Sequence, residues 1–210
     1  MNQKLEEMIQ EIIDEVSHIG YIRSDSIPNI DLYMDQVTTF MEEHLARTKR
    51  YSEDKILTKT MINNYAKNDL IPPPVKKKYN KEHLIILLLI YYYKNVLSIN
   101  DIEKLLLPIT NRFYMAEDDS LNLAQVYDEI FSHCVVQTKD FVKDVNYILE
   151  LANSTFNQAD QEDSDYLKLF SYICFLSQDV YMKTMIIQRL LDNLPDAKNE
   201  IDIKKEPKKK

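Results

Sequence analysis

The segment DKILTKTMINNYAKNDLIPPPVKKKYNKEHLIILLLIYYYKNVLSINDIEKLL, residues 54–106, holds three helix patterns split by a proline run and a lysine cluster. In the first, Met61, Ile62 and Tyr65 form an inner face, and Thr58 or Thr60 can cap the start. Asn68 and Asp69 close it, since both residue types tolerate a left-handed backbone. Pro72, Pro73 and Pro74 forbid helix and stiffen the path into Lys76, Lys77 and Lys78. The second pattern, residues 81–94, is apolar on nearly every side and must be buried all round. The third starts at Ser98, with Asp101 at capping-box spacing and Ile102, Leu105 and Leu106 facing inward.

Outward from this segment the chain still reads as helix. Leu5, Met8, Ile9, Ile12, Ile13 and Val16 recur at three- and four-residue steps, and the pattern stops near Gly20. Residues 21–31 read as a connector, and Leu32 to Leu45 as a second helix. Beyond Pro108, residues 111–120 read as a loop. Two long helical regions follow, 121–149 and 166–194, with a polar break between them. Residues 196–210 read as a disordered basic tail.

Gly20 is the one glycine in 210 residues, where roughly fifteen would be usual. That excludes a P-loop, a dinucleotide-binding G-x-G-x-x-G turn and a G-x-S-x-G elbow. It also disfavours all-β folds with many tight hairpins. The fold class is therefore all-α, mainly helical. No apolar run reaches the length of a membrane span, and the acidic, amphipathic start is unlike a signal peptide. These features point to the cytoplasm. Cys134 and Cys174 read as reduced core residues.

The net charge of -8 is unevenly spread. Residues 1–43 carry two basic and ten acidic side chains, whereas residues 44–83 carry ten basic and four acidic. A basic island in an acidic chain is a local footprint for phosphate, or else a solvated face. Catalysis has little support. His18, His44, His83 and His133 lie in no metal or catalytic spacing, and no cofactor is called for. The acidic runs at 117–120 and 159–165 read as helix-start and connector residues.

The order helix, LIPPP, lysines, Tyr-led helix and Ser-capped helix resembles the MerR-type winged helix-turn-helix. In NNYAKNDLIPPP, Tyr65 matches the second Tyr of that pattern; Asn63, Asn64 and Asp69 stand where it has Arg, Tyr and Gly. Residues 28 to about 107 more closely resemble the YkrK-like domain of unknown function of Gram-positive bacteria, described as carrying a MerR-like helix-turn-helix. The resemblance implies a transcriptional regulator, with a winged helix-turn-helix at 28–110 after an N-terminal helix and connector at 1–27. A C-terminal helical dimerisation or sensing region follows at 120–195.

On that reading the partner is double-stranded DNA, bound by a homodimer with no membrane association and an unknown effector. Thr58, Lys59, Thr60, Asn63, Asn64, Tyr65 and Lys67 form the recognition helix, with Asn suited to adenine edges. Lys76, Lys77, Lys78 and Tyr79 form a short, stiff wing on the phosphates. The alternative is a non-enzymatic protein-interaction module that has this shape and does not bind DNA.

Overall fold

The computed structural model describes residues 1–116 and 121–195. The acidic run at 117–120 and the tail at 196–210 lie outside the described residues. Among the described residues there are seven α-helices: α1 (Gln3–Ser17), α2 (Met34–Leu45), α3 (Lys59–Lys67), α4 (Lys81–Tyr93), α5 (Ile99–Phe113), α6 (Leu123–Asn153) and α7 (Gln161–Asp192). Two short strands, β1 (Leu32–Tyr33) and β2 (Lys78–Tyr79), pair antiparallel, Leu32 with Tyr79 and Tyr33 with Lys78. The protein is mainly α-helical, as the glycine count and periodicity require.

The chain forms two compact units. One comprises Ile22–Glu129 with the described residues 187–195, and the other Met1–Tyr21 with Ile130–Ile186. In the first, α4 is the central element: His83 to Tyr91 are all buried, and Ile85, Leu87, Leu88 and Ile90 are fully covered. Helix α5 packs on it, with Ile102 and Leu106 buried, and Val37, Phe40, Met41 and Leu45 of α2 and Ile62 and Tyr65 of α3 are buried in the same unit. The start of α6 is held by buried Tyr127, whose hydroxyl donates to the Ile22 carbonyl at 2.7 Å. Asp128 accepts from the Ser24 backbone N–H at 3.0 Å and from the Ser24 hydroxyl.

The caps fall on the residue types that favour them. Thr58 accepts from Met61 N–H at 3.1 Å, Asn80 from His83 N–H at 3.0 Å and Ser98 from Asp101 N–H at 3.1 Å. The proline signal fails at one place. Helix α5 runs through Pro108 to Phe113, where the sequence predicts a loop from 111. A proline inside a helix loses one backbone bond and costs about 3 kcal/mol. Tertiary contacts beyond it offset that loss: the Tyr114 hydroxyl lies 3.2 Å from His83 Nε2, and Met115 N–H donates to Glu82 at 2.6 Å.

In the second unit, α1 runs antiparallel to α6. The Met1 amino group donates to Asn153 at 3.0 Å, Gln10 to Asn146 at 2.8 Å, and the Tyr21 ring stacks on Phe131. Ile9, Ile13, Val145, Leu149, Ala152 and Tyr172 form the core of this unit. The lone glycine does not stop α1. The helix ends at Ser17 with His18 as its cap, and Gly20 has no left-handed φ. Cys134 and Cys174 are both exposed, which corrects their placement in a core: the periodicity of a helix apolar on two faces does not say which face is covered.

Candidate nucleic-acid interface

Helix α3 is amphipathic at its own scale. Ile62 and Tyr65 are buried, while Thr60, Asn63, Asn64 and Lys67 are exposed. Those four positions are spaced i, i+3, i+4 and i+7, so they share one helix face. Lys59 is exposed beside them, and Thr58 is half-buried at the cap.

The helix closes on a complete Schellman motif without glycine. Leu70 N–H donates to the Tyr65 carbonyl at 2.9 Å, and Asp69 N–H to the Ala66 carbonyl at 3.4 Å. Asp69 takes the left-handed conformation, φ 56°. Leu70 and Ile71 are then buried, which anchors the exit before the prolines.

The proline path leads into a tight hairpin. Val75 and Lys78 form a bridge, and Lys78 N–H donates to the Val75 carbonyl at 3.0 Å. Between them Lys76 and Lys77 both have positive φ, 51° and 64°. This is the two-residue hairpin turn that normally takes Asn-Gly. Here two lysines occupy it, with both side chains exposed.

Strand pairing carries this hairpin to the start of α2. Lys78 Nζ lies 5.2 Å from the centre of the exposed Tyr33 ring, and Lys59 of α3 forms an ion pair with Asp35. The start of α3 and the lysine hairpin therefore flank one junction, residues 33–35. Sequence reasoning misses Tyr33 and Asp35. A two-residue strand has no periodicity to detect, and its residues read as the start of the following helix.

Not all candidates face outward. Tyr65 and Tyr79 are buried, and burial raises the pKa of both hydroxyls. Tyr79 packs edge-on against His83, with ring centres 5.5 Å apart. His83 is itself 1% exposed, and burial lowers its pKa; the carbonyls of Pro72 and Pro73 and the Asp31 carboxylate act the other way. Asn80 N–H donates to His83 Nδ1 at 3.1 Å. This polar cluster ties the base of the hairpin to α4 and α5. Of the other cations in the basic island, Lys49, just beyond the far end of α2, is paired with Glu42.

A groove of about 1290 Å³ runs beside the C-terminal end of α3, lined by Asn68, Asp69, Pro72, Glu103 and Tyr114 among others. Among the described residues no cluster of three or more His, Cys, Asp or Glu side chains is placed to hold a metal. No helix among them is long and apolar enough to cross a membrane.

The fold and site define a mainly helical protein with a short polar helix set beside a lysine-tipped hairpin. The profile of the family described as domain of unknown function DUF1836 matches residues 22–130, just over half of the chain. The chain belongs to that family, and the matched stretch coincides with the unit built on Ile22–Glu129. No curated protein and no solved structure matches it.

Proposed function

We propose that this protein is a non-enzymatic, DNA-binding transcriptional regulator of the cytoplasm. Residues 28–110 act as a MerR-like winged helix-turn-helix. The polar face of α3, with Thr60, Asn63, Asn64 and Lys67, enters the major groove, and Lys59 borders it. Lys76, Lys77 and Lys78 are the wing and neutralise phosphates. The observation that supports this best is the junction at 33–35, where Lys59 is bound to Asp35 and Lys78 lies over Tyr33. Lysines from the helix and from the hairpin thereby border one surface.

On this reading Tyr65 and Tyr79 have a structural role, since both rings are spent on the core. Asn63 and Asn64 are the base readers, because an Asn amide can contact the N6 and N7 edges of adenine together. A homodimer would match a palindromic operator.

The test is selection of genomic fragments with purified protein, repeated with Lys76, Lys77 and Lys78 changed together to Ala. Enrichment by wild type and its loss in the triple variant are expected. For every phosphate that a removed lysine had neutralised, the salt dependence of affinity should fall by about 0.9. Absence of enrichment by wild type overturns the reading. The groove beside α3 favours a second reading, a protein-interaction module of the same shape. Two carboxylates on its wall, Asp69 and Glu103, suit a protein ligand better than a phosphate.

A further inference from the structure

Helix α7 is apolar on two faces. Its inward face carries Leu169, Tyr172, Phe175 and Leu176, which pack against the core of the α1–α6–α7 unit. Its outward face carries Tyr166, Phe170, Ile173 and Val180, which are 68%, 52%, 52% and 58% exposed. With exposed Ser177 between the last two, the steps are 4, 3, 4 and 3. That alternation is the a/d repeat of a coiled-coil seam, and it stays on one face for four turns. Such a seam in water is half of an interface.

We infer that the outward seam of α7 pairs with the same seam of a second copy of this chain, antiparallel, with Ile173 at the two-fold axis. Three features favour a second copy as the occupant. The first is geometric. The ends of the stripe lie seven residues on either side of Ile173, so Tyr166 of one copy meets Val180 of the other, as an isologous contact needs. The second is charge. Residues 163–183 hold three carboxylates and two lysines, close to neutral in a chain of net charge -8, so two copies are not driven apart there. Antiparallel pairing also sets Asp163 of one copy toward Lys183 of the other; Lys183 meanwhile holds Asp179 at 2.7 Å.

The third is area. Tyr166, Phe170, Ile173, Val180 and the neighbouring Tyr181 each expose half or more of their surface. At about 100 Å² apiece, two copies bring together about 1,000 Å², which is where specific interfaces begin. The pairing locates the homodimer of the DNA-binding reading on one helix. Its assay contains no DNA, so failure of either shows separately.

The test is sedimentation equilibrium of the full chain, at about 1–100 µM, where interfaces of this size dissociate. Wild type should approach twice the 24.9 kDa chain mass. Phe170→Glu with Val180→Glu should remain at chain mass with unchanged helical circular dichroism. A second measurement does not depend on that variant folding. Cys174 is exposed and adjacent to Ile173, so a short bismaleimide should link two chains through it. Cross-linking should survive Cys134→Ser and vanish in Cys174→Ser. A monomeric wild type, a folded double variant that stays dimeric, or a cross-link that requires Cys134 would each overturn the pairing.

Discussion

Lys59, in the first turn of α3, is ion-paired with Asp35, in the first turn of α2, and both side chains are well exposed. An exposed pair of this kind contributes only about 0–1 kcal/mol to stability. Its larger consequence is for ligand binding, since an anion near α3 must compete with Asp35 for Lys59. Asp35→Asn should therefore leave urea unfolding unchanged within about 0.5 kcal/mol. The same change should tighten DNA binding and steepen its salt dependence by about 0.9. Fluorescence anisotropy titration at several salt concentrations reads both quantities. Weaker DNA binding by this variant would show that Asp35 positions Lys59 and does not mask it.

The turns at Asp69 and at Lys76-Lys77 hold a left-handed backbone without glycine, while Gly20, which has no left-handed φ, stands elsewhere. A left-handed side-chain residue costs about 1–2 kcal/mol, less for Asp. Asp69→Gly should stabilise by about 0.5–1 kcal/mol. Replacing Lys76-Lys77 by Asn-Gly should stabilise by about 1–2 kcal/mol while removing two cations from the hairpin. A hairpin that gains stability and loses DNA affinity would separate the two roles of these lysines. Gly20 has nothing within 4 Å of an added Cβ, so Gly20→Ala should stabilise by about 0.4–1 kcal/mol through the unfolded chain. Thermal unfolding of the three variants measures these shifts.

The residues that made the fold legible are those with local rules. Thr58, one of two candidate caps, and Ser98 cap as their side chains dictate, and the run from Leu84 to Tyr91 is buried because no face of it is polar. The end of α3 at Asn68 and Asp69 followed from the same local chemistry, and the helix read as about 58–68 runs from Lys59 to Lys67. Pro108 misled because the contacts of Tyr114 and Met115 lie far along the chain and carry α5 past the proline. Within the candidate site, the exposed face of α3 was readable from spacing. The role of Tyr33 and Asp35 was not, because it depends on strand pairing between residues more than forty positions apart.

His83 should make stability depend on pH in a defined direction. Its ring is buried, and burial lowers its pKa below the ordinary value of 6.5. The unfolded chain then binds a proton more readily than the folded one as pH drops through that value. The contribution of neutral His83 is complete above about pH 6.5 and is lost as pH falls toward the folded-state pKa. Urea midpoints at pH 7.5 and 5.5 should differ in wild type, and the difference should shrink in His83→Gln. Because Tyr79 rests on this ring, the acid-sensitive region should include the base of the hairpin, visible as faster amide exchange at Lys78 and Tyr79.

Ile22 lies where the connector enters the first unit, and its backbone is held from both sides by tyrosines. The Tyr127 hydroxyl donates to its carbonyl at 2.7 Å, and its N–H donates to the Tyr92 hydroxyl at 3.3 Å. Tyr127 is 1% exposed, so Tyr127→Phe would leave the Ile22 carbonyl without this donor in a site closed to water. An unsatisfied buried acceptor costs about 1–3 kcal/mol, and the ring's packing is preserved in Phe. The variant should therefore lose about that much in urea unfolding at an unchanged slope. Tyr92→Phe should lose less, because its bond is longer and its ring only partly buried. No loss in either variant would mean that ring packing, and not the hydrogen bonds to Ile22, fixes the connector.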